Sequence, residues 1–221
     1  MTSTTREPGP GSVTPRVQRL GSLDIAYDDR VLQPRPWTVA QSRWAADLLA
    51  DAAPGPVLEL CTGAGHIGLL AIHGNQRRLV AVDASPIACE YARANAASAG
   101  LADRVEVRNA LLHEALAPGE LFPVIIADPP WVPSARTVDH PEDPRLAIDG
   151  GEDGLAIARG CLEVAAAHLE PDGVLLLQLG NASQAAAVAD VADGLGLVVE
   201  EVRQPSPTGV VVLVRRVSRP A

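Results

Sequence analysis

The run Val57-Leu58-Glu59-Leu60 passes into Cys61-Thr62-Gly63-Ala64-Gly65-His66-Ile67-Gly68 and on into an apolar stretch that reaches Ile72. Few arrangements accommodate such a stretch. Four mostly apolar residues ahead of a glycine cluster read as a buried strand, and the segment after the cluster reads as the opening of a helix. Glycines at 63 and 65 let the backbone turn tightly and approach a ligand, while Gly68 lets the helix lie close against the strand. A second apolar run, Leu79–Val82, ends in Asp83. Strand, glycine turn, helix, strand and acid, in that order, belong to open parallel sheets that bind nucleoside-containing ligands at the carboxyl ends of their strands. Read literally, GxGxxG with a following acid fits a dinucleotide, and it fits other nucleoside cofactors as well.

The remaining chain repeats the alternation. Ser85-Pro86 opens a helix to about Ala99, closed by Gly100. Val105–Arg108 and Val124–Asp128 read as strands, and residues 129–151 as a long loop rich in Pro, Asp and Arg. A helix from about Glu152 to Leu169 leads through the turn Pro171-Asp172-Gly173 to the strand Val174–Leu179. A helix over roughly Ala182–Leu195 precedes two strands, Leu197–Arg203 and Val210–Arg215, joined by a Pro/Gly loop too short for anything but an antiparallel return. Upstream, Leu23–Tyr27 alternates as a short strand, and Thr38 is placed to cap a helix from Val39 to about Asp51. Residues 1–20, rich in Ser, Thr, Pro and Gly, read as a disordered leader; 21–221 read as one domain. The expected fold is α/β: a mostly parallel seven-stranded sheet with a C-terminal antiparallel strand and helices on both faces, as in the Rossmann-like class I methyltransferases.

Composition narrows the function. At 221 residues there is room for one well-filled core. A net charge of −9, with 18 arginines and no lysine, argues against an extensive nucleic-acid-binding face. The scattered five histidines give no metal-ligand spacing. Cys61, Cys89 and Cys161 show no CxxC pairing and read as reduced thiols used for packing. No apolar run approaches the ~18 residues of a membrane span, and no signal pattern opens the chain, so a cytoplasmic protein, read here as a monomer, is expected.

Two places carry the chemistry. Asp83 is placed to accept from ribose hydroxyls, and Glu59, inside the first strand, to reach the ammonium of a methionine moiety. Thr62, Gly63, Ala64, Gly65 and Asp83 suit either cofactor, but a carboxylate beside the loop disfavours a pyrophosphate, so Glu59 favours S-adenosyl-L-methionine over a nicotinamide cofactor. A nicotinamide-dependent oxidoreductase would also need a second domain and a catalytic Tyr-Lys pair. At the end of the Val124–Asp128 strand stands Asp128-Pro129-Pro130-Trp131. The prolines fix φ and remove two N–H donors, leaving carbonyls presented in a rigid loop. Asp128 and a proline carbonyl can then accept both hydrogens of a planar –NH2 group flanked by Trp131, which aims the nitrogen lone pair at a methyl donor.

These pieces resemble the HemK/PrmC-type protein-(glutamine-N5) methyltransferases from Tyr27 to Val214. The resemblance rests on Val31-Leu32-Gln33-Pro34-Arg35-Pro36-Trp37-Thr38, on Glu59–Gly68, Asp83 and Asp128–Pro133, and most sharply on Asp149-Gly150-Gly151-Glu152-Asp153-Gly154-Leu155, followed by Leu179-Gly180. It implies S-adenosylmethionine as cofactor and transfer to a side-chain amide of a protein or peptide acceptor, typically the Gln of a release factor's Gly-Gly-Gln loop. The chain departs from the family pattern in four ways. Asp128 and Trp131 stand for Asn and Tyr, a spelling similar to that of enzymes acting on exocyclic amines of nucleobases, so a nucleobase or small metabolite remains an alternative acceptor. Ala110 replaces the acid that meets adenine, which shifts that expectation to Asn109. Trp37 replaces a Glu. No helical docking domain is read ahead of the core, so acceptor recognition is expected from the loops at 28–38 and 132–150.

Overall fold

A computed structural model describes residues 14–207 and 209–217. Seven strands form one sheet: β3 (Val57–Leu60), β4 (Leu79–Asp83), β5 (Val105–Asn109), β6 (Phe122–Ala127), β7 (Leu169–Leu179), β8 (Leu197–Arg203) and β9 (Val210–Arg216), in the order β5-β4-β3-β6-β7-β9-β8. β3 pairs in parallel with both β4 and β6, while β9 runs antiparallel between β7 and β8. The chain winds outward from β3 in one direction and returns at β6 to wind in the other. Their junction is the crevice where ligands of open α/β sheets bind.

The central strands are almost wholly apolar, with Glu59 the exception in β3, because both faces are covered. On one face, α1 (Val39–Asp51), α2 (His66–His73) and α3 (Pro86–Ser98) pack Trp44, Leu49, Ile67 and Ile72 against Val57, Val124 and Ile126. On the other face α5 (Ala156–His168) and α6 (Ala182–Gly194) pack Leu162 and Val188 against Leu58, Ile125 and Leu177; α4 (Arg145–Ile148) is a single turn within the long loop. Local chemistry sets the helix starts. Ser85 accepts from Ala88 N at 3.2 Å with Pro86 at the first helical position, and Asn181 accepts from Gln184 N at 3.0 Å.

Four expectations are corrected. Arg16–Leu20, expected within the leader, forms β1 and pairs antiparallel with β2 (Leu23–Tyr27) across the Gly21-Ser22 turn. β1 buries only Leu20, so it has no apolar period to betray it and is held by its partner's ladder. Residues 1–13 of the leader lie outside those described. Pro171-Asp172-Gly173 is not a turn that opens a strand; it is an excursion within β7, taken up by a register shift opposite Phe122 and Val124. The helix expected from Glu152 starts at Ala156, because Gly151 and Gly154 take positive φ. Finally, Thr38 does not cap α1: its hydroxyl donates to the carbonyl of Arg35 at 2.7 Å.

Candidate active site

β3 ends in a turn that the sequence makes unavoidable and its neighbours make rigid. Gly63 and Gly65 adopt φ of 54° and 83°. A side chain on Gly68 would stand 2.5 Å from Glu59 Oε2 and 2.8 Å from Leu79, so only glycine brings α2 this close to the strand. Glu59 is the brace. Its carboxylate accepts from the Thr62 hydroxyl and, at 2.8 Å, from Gly68 N, and it lies buried behind the turn. Burial pushes its carboxyl up to about 7 against the pull of those two donors. Glu59 therefore holds the loop from behind and is not among the residues that wall the cavity in front of it.

The cavity opens at the carboxyl ends of β3, β4 and β6. Its walls include Thr62, Gly63 and Ala64 from the turn, Asp83 and Ser85 from the end of β4, Asp128 and Pro130 from the end of β6, and the segment Pro144–Asp149. Asp83 accepts from Gly63 N and Ser85 N, each at 2.8 Å, so the carboxylate is fixed to the turn it serves, with its carboxyl held up by burial. Asn109 lies outside the wall. Its amide donates to the carbonyl of Asp83 at 2.9 Å, and Ala110, Leu111 and Leu112 face the cavity instead. The strand ends at 109, so the next residues carry the chain inward.

Asp128 contrasts with Asp83. It is half-buried on the cavity wall and engaged by no hydrogen bond among the described residues, and desolvation pushes its carboxyl up to about 7. Pro129 is buried beside it. Trp131 does not wall the cavity: its ring packs on Gly180, where a side chain would collide with it. The expected flanking aromatic is thus part of the loop's support.

Sequence reasoning missed several lining residues. Arg30, Gln33, Arg35 and Thr38 enter from the Pro-punctuated loop, which was expected to take part in acceptor recognition without any of these residues being singled out. Arg35 donates to both carboxylate oxygens of Asp143 at 2.7 Å and so ties this loop to the 132–150 segment. His140 and Glu142 lie near Asp143, but Arg35 already occupies that carboxylate. His66 lines the wall with its Nε2 2.8 Å from the Thr38 hydroxyl, and burial pushes its imidazole down to about 4. Cys61, expected to be a packing residue, faces the cavity at a φ of 58°, its thiol pushed up chiefly by the adjacent Cys161 thiol; all three cysteines are unpaired. No local signal announces a non-glycine residue at positive φ.

The winding of the sheet, the antiparallel β9 and a cavity framed by a glycine turn and two strand-end acids define a Rossmann-like class I methyltransferase. A methyltransferase-domain family model matches residues 57–137. The chain is 36% identical over 199 residues to the release factor glutamine methyltransferase of Moorella thermoacetica, covering 87% of this chain and 69% of that protein. It is 39% identical over 129 residues to the ribosomal protein uL3 glutamine methyltransferase of Bordetella pertussis, covering 56% and 43%. The fold is shared with the ribosomal protein L11 methylase of Lactobacillus delbrueckii subsp. bulgaricus, with a TM-score of 0.64, 14% identity and coverage of 84% and 81%. The chain belongs to the HemK/PrmC-type glutamine methyltransferase family, and it is an S-adenosylmethionine-dependent methyltransferase. No helix among the described residues is long and apolar enough to cross a membrane.

The donor set suits the cofactor. Asp83 offers a fixed carboxylate for a ribose diol, nothing stands within 4 Å of where a side chain on Gly63 would project, and Asp128 lines the same cavity as a carboxylate without a hydrogen bond among the described residues.

Proposed function

We propose that this chain methylates the side-chain amide nitrogen of a glutamine in a protein acceptor, with S-adenosylmethionine held by Thr62, Gly63, Ala64 and Asp83. The observation that carries this reading is Asp128. It is the one cavity carboxylate left without a hydrogen bond among the described residues, at the strand end facing the cofactor turn. A carboxylate there accepts an N–H of the incoming –NH2 and holds the nitrogen in line for attack. The bound cofactor supplies an electrophilic methyl group. Asp128, ionising near neutrality, offsets the charge that develops on nitrogen and can take up the released proton. Its neighbour Pro129 contributes a carbonyl and no competing donor.

A second acceptor class is favoured by one feature. Ionised Asp128 only accepts, whereas the family's Asn also donates, and an acceptor-only clamp suits an exocyclic amine of a nucleobase or small metabolite. The relatives' acceptors, a release factor and a ribosomal protein, support the protein reading and a cytoplasmic site of action.

Radiolabelled methyl transfer separates the two. Purified release factor, ribosomal protein uL3, a Gly-Gly-Gln peptide, total RNA and a small-molecule extract are each offered with labelled cofactor. Label in a glutamine side chain is the expected result. Label confined to RNA or the small-molecule fraction would refute the protein reading.

A further inference from the structure

Asp128 has no partner of its own, so its aim depends wholly on the backbone on either side of it. Two buried glutamines hold that backbone, one from each helical layer. From α1, Gln41 reaches through the core to donate its Nε2 to the carbonyl of Ala127 at 3.0 Å and to that of Leu176 at 3.2 Å. From α6, Gln184 donates its Nε2 to the carbonyl of Trp131 at 2.9 Å and accepts from Gly180 N at 2.8 Å with its Oε1. Both side chains are buried, at 0% and 7% exposure. The four residues 128–131 are thus pinned at the carbonyl before Asp128 and at the carbonyl of Trp131.

Gln41 makes the functional character of this arrangement plain. Its Oε1 is buried with no hydrogen-bond partner among the described residues, and a buried acceptor left unsatisfied is costly. A leucine there would remove the unsatisfied acceptor and, with it, the donor to the carbonyls of Ala127 and Leu176. The two donor bonds of the amide tie β6 and β7 together at this point. In doing so they fix the strand end from which Asp128 projects. Gln184 has a complementary part: Gly154 and Gly180 leave no room for side chains against Trp131 and Gln184, so the amide, the Trp131 carbonyl and the ring form one locked unit.

We infer that Gln41 and Gln184 are positioning residues for the acceptor clamp, setting the direction in which Asp128 presents its carboxylate. The inference rests on the assignment of Asp128 as the clamp. Small losses of alignment between reacting groups cost rate steeply, up to about a hundredfold for ~1 Å. The geometry therefore predicts an effect on turnover with little effect on cofactor affinity.

The test uses the full chain with Gln41→Leu, Gln184→Met and Gln184→Glu. The last keeps an acceptor for Gly180 N and loses the donor to Trp131, so it is expected to behave like Gln184→Met. Expected are cofactor affinities within about twofold of wild type and a kcat lowered about ten- to a hundredfold at little-changed acceptor KM. In parallel, the 13C-carboxyl titration of Asp128, assigned by its loss in Asp128→Asn, is followed with S-adenosylhomocysteine bound; its midpoint is expected to move in each variant. Unchanged kcat with an unchanged midpoint would overturn the inference, as would melting temperature, cofactor affinity and kcat falling together. Should the wild-type enzyme label no glutamine acceptor, the proposed function fails, while the titration still decides whether the two amides aim Asp128.

Discussion

Replacing Asp128 by Asn tests the electrostatics of the site without touching an acceptor. In the folded protein burial raises its carboxyl from 3.8 to about 7. A shift of that size corresponds to about 4 kcal/mol against the ionised form. Because the residue is half-buried and its cavity admits water, about half of that is a sounder expectation. The direction follows from linkage: a carboxyl raised in the folded state costs nothing below its unfolded value, near 4. Stability is then lost progressively as pH rises to about 7, and the full cost persists above. An Asn carries no such cost. Asp128→Asn is therefore expected to be more stable than wild type by about 2 kcal/mol at pH 8 and by less than about 1 kcal/mol at pH 5, a gap that at pH 8 corresponds to roughly 4–8 °C in Tm for a chain of this size. Glu59, also raised to about 7 and sensitive to the charge on Asp128, titrates in the same window and broadens the transition. Urea unfolding of both proteins at the two pH values, without cofactor, makes the measurement. A stability difference independent of pH, or a wild type more stable at pH 8, would refute the reasoning.

Three further perturbations probe the frame around the site. Gly68→Ala drives a methyl into Glu59 and Leu79; a loss of about 1–3 kcal/mol with weakened cofactor binding is expected by calorimetry, and an unaffected affinity would show that the turn tolerates displacement of its brace. Asn95, which accepts from Ala26 N and donates to the carbonyls of Ala26 and Ala64, knits β2 to the cofactor turn. Its replacement by Ala leaves those groups buried, so a loss of about 2 kcal/mol in urea unfolding and faster hydrogen exchange at Ala26 are expected. Asp28 is held at about 2, chiefly by Arg30, with Tyr91 also donating. A depressed carboxyl contributes stability above its unfolded value that is lost as pH falls through its folded one, so Asp28→Asn is expected to lose about 1 kcal/mol at pH 6 and only a small fraction of that at pH 2, as read by thermal unfolding.

The sheet was legible because its determinants are local. Runs such as Val124-Ile125-Ile126-Ala127, the Ser85-Pro86 start and the glycine turn state their structure within a few residues. β1 was not legible, since Arg16–Leu20 is a strand only through its pairing with β2. The same distinction divides the site. Asp83, Thr62 and Asp128 face the cavity because a strand end puts them there, and periodicity finds strand ends. Glu59 was recognised as meaningful, but its bracing of the turn was not read, because that depends on the distance to Gly68 N, which spacing does not encode. Trp131 was misjudged similarly: its ring is claimed by Gly180, which lies 49 residues further along the chain.

What sequence reading systematically overlooks here is the neutral amide. Gln41 and Gln184 sit in helices that read as ordinary amphipathic segments, and a buried glutamine in such a helix looks like a surface residue slightly out of phase. Their role emerges only when the carbonyls of Ala127 and Trp131 are seen to accept from them, from opposite sides of one sheet. The residue proposed as the acceptor clamp is a single carboxylate without a hydrogen-bond partner among the described residues, and such a group is aimed through the backbone that bears it. Precision at Asp128 is consequently supplied by residues that never touch cofactor or acceptor. On the proposed reading of Asp128 as the acceptor clamp, Asp128→Asn is expected to change which acceptor is held in the methyl-transfer assay while leaving the two amides to direct the side chain that stands there.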